Sequence, residues 1–177
     1  MRAALPSIAA ILTLLGPASA AATTGGPDTY GYTFTDSAEP GGPAFQWTSG
    51  GSQITVPDDG SVTLALPFAF SVYGVSYTEV QVGQDGLLTL GAPSPGSANV
   101  CLPGAAQVTL APYRDGFTSA TGQLRSRSSG AAPSRIFVVS WDSVEHEGRG
   151  GDASLEVRCD LSGGTGCAAR AVDGACP

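Results

Sequence analysis

Val62-Thr63-Leu64-Ala65-Leu66-Pro67-Phe68-Ala69-Phe70-Ser71-Val72 is the stretch from which the fold class follows. Its large apolar residues, Val62, Leu64, Leu66, Phe68, Phe70 and Val72, occupy every second position without a break. Successive side chains of an extended strand point to opposite faces, so this spacing puts all six on one face and the smaller residues on the other. Pro67 has no N–H to give to a ladder. It therefore marks a sheet edge, a bulge or a break between two short strands.

The same period of two continues outward. Tyr73-Gly74 turns the chain into a second strand, Val75 to Val82, with Val80 and Val82 on one face and Glu79 and Gln81 on the other. Gln84-Asp85-Gly86 then separates it from Leu87-Leu88-Thr89-Leu90. Asp and Gly both tolerate positive φ, so this reads as a hairpin. Residues 91–104 form a Pro-rich loop carrying Cys101. Gln107 to Ala111 is a short strand ended by Pro112. Gly122 to Ser128 alternates weakly and is polar, which suits an exposed or edge strand. In Arg135 to Ser143, Ile136 and Val138 point one way while Phe137, Val139 and Trp141 point the other. Such a strand is central or covered on its second face. Glu145 to Asp152 is a polar turn. In Ala153 to Asp160, Leu155, Val157 and Cys159 point inward and Glu156 and Arg158 outward. Ser162 to Gly166 is a turn that lets Cys159 and Cys167 face each other. Upstream, Tyr30 to Thr35 suits a first strand and Phe45 to Trp47 a short second one. Eight to ten short strands between turn clusters, with no helical period, predict an all-β antiparallel sandwich of jelly-roll or Ig-like type with a disulfide-stapled C-terminal hairpin.

The 177 residues hold eight Arg, no Lys, 15 Asp+Glu and one His, for a formal charge of −7. That balance argues against a basic nucleic-acid groove. Lysine chemistry and a multi-histidine metal site are excluded outright. The 25 Gly and 13 Pro exclude a coiled coil and instead punctuate short strands. Met1-Arg2, an apolar run from Ala4 to Leu15, and Ala18-Ser19-Ala20 have the form of a signal peptide. The run is too short to span a bilayer. Cleavage after Ala20 leaves 157 residues and, because Arg2 leaves with the peptide, a charge of −8. The expected organisation is a signal peptide over 1–20, a flexible segment over 21–29, a β-sandwich domain over 30–161 and a Gly/Cys-rich tail over 162–177.

Export makes the four cysteines, Cys101, Cys159, Cys167 and Cys176, read as two disulfides. Three pairings are open. Their spacings of 58, 8 and 9 contain no C-x-x-C, so a zinc site is disfavoured.

The chain resembles a β-sandwich module of secreted bacterial proteins similar to the nidogen-type extracellular domain. The landmarks are Gly31-Tyr32-Thr33-Phe34, Trp47, Asp58-Asp59-Gly60, Phe68-Ala69-Phe70, Tyr73-Gly74 and Tyr77-Thr78-Glu79-Val80. Asp85-Gly86-Leu87-Leu88, Leu102-Pro103, Ala111-Pro112-Tyr113-Arg114-Asp115 and Val139-Ser140-Trp141 follow in order. The resemblance covers roughly 28–160 and departs at Tyr113-Arg114, where Trp usually precedes the Asp, and in the tail after Asp160. It implies a β-sandwich, export and no established enzymatic activity, and it brings no catalytic residues. An antibody variable domain, suggested by Gly31 to Ser37, is rejected because no Cys precedes Trp47.

Several residues are candidates for chemistry. Asp142, Glu145, Glu147 and Asp152 on a Gly-rich loop suit a Ca²⁺ site, and His146 among them suits a base oriented by an acid; the bland alternative is a solvated turn. Asp58-Asp59-Gly60, joined by Asp85 or Asp115, is a second Ca²⁺ candidate, or again a turn. Trp47 and Tyr113 are the candidate exposed aromatics for a ligand, against core filling as the default. No G-x-S-x-G is present. The expected function is a secreted, extracellular or periplasmic, binding or structural module with no catalytic activity. It would hold a protein or glycan through loops at one end of the sandwich, without nucleic acid, without a cofactor and without spanning a membrane. The alternatives are a glycan hydrolase using two carboxylates and a Ca²⁺-stabilised surface adhesion domain.

Overall fold

A computed structural model describes residues 24–44, 46–92, 108–118, 120, 122–160 and, as backbone only, 166–170. The stretch read as a signal peptide, Phe45, Cys101, Leu102-Pro103 and Cys176 lie outside the described residues. The chain divides into two compact units, Met1–Ala44 and Phe45–Pro177.

In the first unit, β1 (Thr24–Gly25) pairs antiparallel with β2 (Phe34–Thr35). Only the end of the strand expected over Tyr30 to Thr35 enters a ladder. Asp28 is the reason: its Oδ1 accepts from the N–H of both Tyr30 and Tyr32 at 2.9 Å, which closes residues 28–32 into a turn.

The second unit holds β3 (Ser52–Ile54), β4 (Ser61–Val72), β5 (Val75–Gly83), β6 (Leu87–Leu90), β7 (Val108–Leu110), β8 (Phe117–Thr118), β9 (Gln123–Ala131), β10 (Ser134–His146), β11 (Asp152–Asp160) and β12 (Gly166–Arg170). One sheet is the meander β4-β5-β6-β7. The other runs β12-β11-β10-β9-β3, with β8 on the far end of β10. Every pairing is antiparallel, and no described segment is helical.

β4 bears out its alternation. Phe68 and Phe70 are buried, Val62, Leu64, Leu66 and Val72 pack partly against the core, and Thr63, Ala65, Pro67 and Ala69 are exposed. Pro67 meets two of the three conditions set for it. β4 is the outer strand of its sheet, and the register slips between Ala65/Glu79 and Phe70/Tyr77, so Pro67 sits in the bulge, where no ladder bond is lost.

β10 is central, flanked by β9 and β11, and buried on both faces: Phe137, Val139 and Trp141 on one side, Val138 and Ser140 on the other. It also runs past the expected end at Ser143. A bulge between Trp141 and Val144, with Ser143 at φ 53, inserts one residue. This turns Val144 to the core, completely buried, and carries β10 on to His146. Buried side chains of both sheets, among them Phe70, Val82 and Leu88 from one and Phe137, Trp141 and Val157 from the other, belong to one hydrophobic cluster. Trp141 Nε1 donates to Gly83 O on β5 at 3.0 Å, a buried bond from one sheet to the other.

Glu156 corrects the pattern. Simple alternation places it outward and exposed, yet it is fully buried. Residues before β3 lie over this face: Thr48 N donates to Glu156 Oε2 at 2.8 Å and Thr48 Oγ1 to Oε1 at 3.3 Å. Arg127 and Arg125 on β9 donate to Ser49 O at 2.7 Å and Gly51 O at 3.2 Å, fixing the same strap. Glu156→Ala should orphan the Thr48 N–H and cost about 1–3 kcal/mol, read from urea denaturation. An unchanged midpoint would show that the strap is held without Glu156. The polar strand read at Gly122 to Ser128 as exposed or at an edge is the exposed kind: β9 is exposed from Arg127 to Ala131 and stands next to the edge strand β3. β3 covers only Leu124 to Ser126, which leaves the rest of β9 open on that side.

Candidate functional site

Four connections of the second unit meet at one place: Pro57 to Gly60 before β4, the β5–β6 turn Gln84-Asp85-Gly86, the segment Tyr113 to Phe117 leading into β8, and the end of β10 at His146-Glu147. Gln84 and Asp85 bind them together. Gln84 N donates to Gly60 O at 3.0 Å. Its side-chain Nε2 donates to Asp58 Oδ1 at 3.1 Å and Phe117 O at 2.8 Å. Asp85 Oδ1 accepts from Phe117 N at 3.2 Å, so two adjacent side chains of one turn grip both backbone groups of Phe117. Glu147 N donates to Gly116 O at 2.9 Å and adds the fourth connection. Gly86, at φ +74, lies so close to Tyr113 that a Cβ there would stand 1.9 Å from Tyr113 O.

The sequence identified Gln84-Asp85-Gly86 as a turn, and it is one. It did not show that Gln84 and Asp85 are each only 1% exposed. The available signal lies next door: Leu87, Leu88 and Leu90 are apolar on both faces of β6, so the turn feeding that strand is itself covered.

Burial holds the Asp85 carboxyl above its ordinary value of 3.8. The Phe117 N–H bond opposes this, the Asp59 and Glu147 carboxylates add to it, and Arg114 acts against it. The folded protein therefore keeps this proton more tightly than the unfolded chain does. Asp85 makes stability fall as pH rises from about 3.8 through the raised folded value. Asp85→Asn retains an oxygen acceptor for Phe117 N and removes the charge. Relative to wild type, its melting temperature should improve between pH 4 and pH 7. A relative loss over that interval would mean that the folded state prefers the carboxylate.

His146 lies where the β10 bulge directs it. Its Nδ1 is 3.1 Å from Asp115 Oδ2, and Arg149 Nη1 is 3.7 Å from the same oxygen. The His146 ring packs on Phe117 at 4.8 Å and edge-on to Tyr113 at 5.7 Å between centroids. Tyr113 is thus half-buried, with one face against Phe117 and His146, and Trp47 is half-buried as well. Of the Ca²⁺ candidates on β10 and β11, Glu145 and Asp152 are cross-strand partners. Asp142 stands on β10 opposite Gln123 and hydrogen-bonds with Ser143 Oγ, and Glu147 is exposed beyond the strand. The fold does bring Asp58 and Asp85 to one place, as the second Ca²⁺ reading required. Among the described residues, however, no group of three or more His, Cys, Asp or Glu is placed to hold a metal ion. An apolar cavity lined by Leu66, Phe68, Val80, Leu110, Phe137 and Cys159 offers a ligand no polar group. Among the described residues no helix is long and apolar enough to cross a membrane.

A family model described as NIDO related matches residues 31–168, more than half of the chain. No curated protein and no solved structure matches it.

Proposed function

This chain belongs to the nidogen-related family, and from that membership we propose that it is a secreted, non-catalytic β-sandwich module that holds a protein or glycan ligand at its loop end. The observation that carries the reading is the binding of four connections, from separate parts of both sheets, into one hydrogen-bonded surface through Gln84 and Asp85. Loops held rigidly on a sheet scaffold are where such modules carry their contacts. Exposed Asp59, Glu147 and Arg149 stand on this surface, while the parts that shape it are buried. Asp85 is spent on Phe117 N, which removes it from any hydrolytic carboxylate pair at this end, whereas the His146 Nδ1 contact with Asp115 is one that a base oriented by an acid would also make.

Face-to-face packing of the sheets is supported by their shared cluster and by the Trp141 to Gly83 bond. A stapled terminal hairpin is supported by the register. Cys159 of β11 and Cys167 of β12 are directly opposite, and cross-strand partners have the Cα separation a disulfide needs. Thiol titration of the denatured protein should find no reactive cysteine, and peptide mapping should link 159 to 167. A free thiol at either position would remove the staple. Export is supported by the Met1 to Ala20 pattern and by the family.

The functional test is a glycan- and protein-array screen of the secreted protein beside a Glu147→Arg/Arg149→Glu variant, which keeps the net charge. Any ligand bound by the wild type should bind the variant at least about tenfold more weakly, with no change in melting temperature. Unchanged binding would exclude the loop end. Cleavage of an arrayed glycan would replace the binding reading with a hydrolase.

A further inference from the structure

The charges of the second unit are unevenly placed. Acidic side chains, including Asp58, Asp59, Asp85, Asp115 and Glu147, gather at the loop end, whereas arginines stand on the six-stranded sheet. On β9 the residues facing away from the core are Gln123, Arg125, Arg127 and Ser129. Pairing sets Arg125 beside Ser140 and Arg127 beside Val138, both on the face of β10 opposite Trp141. The four lie about 6.8 Å apart along the strand. Gln123, Arg127 and Ser129 are exposed and Arg125 is half-exposed.

Neither guanidinium is neutralised. Among the described residues, Arg125 and Arg127 have no carboxylate within ion-pair distance, in a chain of net charge −7. Glu156, the acid in the Arg125 row, is sealed beneath Thr48. The bonds that the arginines do make are to neutral groups: Arg127 to Ser49 O, Arg125 to Gly51 O and to the Gln123 side chain. Carbonyls fix the orientation of a guanidinium without cancelling its charge. Of its five donors, most remain for a ligand, and the entropy of ordering the side chain is already spent.

We propose that this strip is a binding site for a linear polysaccharide carrying carboxylates, a uronate polymer. The guanidinium fork matches a planar carboxylate in a two-bond arrangement that an ammonium does not reproduce. Gln123 and Ser129 at the ends of the line supply the neutral hydrogen bonds that sugar hydroxyls take. The site goes beyond the loop-end reading, since it lies on a sheet face and uses none of the loop-end residues.

The test is calorimetric titration of the full secreted chain with sodium polygalacturonate at low ionic strength with EDTA, neutral dextran being the control. Saturable binding that weakens with added salt is expected. Arg125→Gln and Arg127→Gln should each weaken it about tenfold or more. Both substitutions also shorten the side chain away from the strap carbonyl, so the melting temperature of each variant reports whether the strap still holds. Ser129→Asp touches neither strap bond and should also weaken binding, by repulsion. The Glu147→Arg/Arg149→Glu variant should bind polygalacturonate as the wild type does, which separates this site from the loop end. Absence of binding, or binding unaffected by both arginine substitutions and by Ser129→Asp, would overturn the proposal. So would tighter binding of dextran sulfate or single-stranded DNA, which would assign the strip to sulfate or phosphate.

Discussion

Trp141→Ala is expected to remove about 3–5 kcal/mol of folding stability, the largest loss from any single side chain in the core. Trp141 is completely buried, on the central strand of one sheet, and its Nε1–H is bonded to Gly83 O of the other sheet at 3.0 Å. Truncation opens a cavity within the shared cluster and leaves a buried carbonyl without its donor. The two penalties separate experimentally. Trp141→Phe keeps most of the ring volume and loses the bond, for an expected cost of about 1–3 kcal/mol. Urea denaturation followed by far-UV circular dichroism measures both. A phenylalanine variant with the wild-type midpoint would show that the bond to Gly83 contributes nothing. An alanine variant losing less than 1 kcal/mol would show that the two sheets do not share one core.

Gly86→Ala is expected to be comparably damaging, for a reason unrelated to apolar burial. The residue is at φ +74, which costs an alanine about 1–2 kcal/mol. The added Cβ would also stand 1.9 Å from Tyr113 O, a backbone atom that no side-chain rotation can move. Relief requires shifting Tyr113 to Phe117, which Gln84 and Asp85 hold by both backbone groups of Phe117; such overpacking adds about 1–3 kcal/mol. The damage should therefore concentrate at the loop end. Amide hydrogen exchange should rise at Phe117 and Glu147, whose N–H groups bond into the cluster, more than at Val139 or Val157 in the core. Wild-type exchange at Phe117 would mean that the turn and the segment yield to each other without breaking their bonds.

How far the fold was legible depended on whether the controlling interaction was local. The row from Val62 to Val72 identified β4, because alternation is a property of consecutive residues. Pro67 announced an edge or a bulge because its missing N–H constrains the ladder wherever it sits. Cys159 and Cys167 could be set opposite each other because a short turn separates them, and the register agrees. Three features were not legible. Glu156 follows a polar-out rhythm, but burial depends on Thr48, more than a hundred residues away. β10 passes Ser143 because of a bulge that no residue type announces. Tyr30 and Tyr32 have strand-forming side chains, yet the Asp28 carboxylate takes their N–H groups and makes a turn.

The candidate site divides in the same way. Its parts, Asp58-Asp59-Gly60, Gln84-Asp85-Gly86 and Tyr113-Arg114-Asp115, were each visible as motifs that favour turns, and their order pointed to the nidogen-related family. Their meeting was not visible, since hydrogen bonds between residues some thirty positions apart leave no periodic trace.

Sequence by itself therefore determined the all-β class, most of the strands and the family. Period-two burial and turn chemistry are written in neighbouring residues, and the order of motifs survives without any knowledge of contacts. Only the tertiary structure decided that the Asp85-Gly86 turn is buried and clamps Phe117, that His146 meets Asp115, and that Arg125 and Arg127 bond to the strap carbonyls and, among the described residues, have no carboxylate within ion-pair distance. Each of these depends on which distant segments exclude water from a group or leave it exposed, and that is settled by packing.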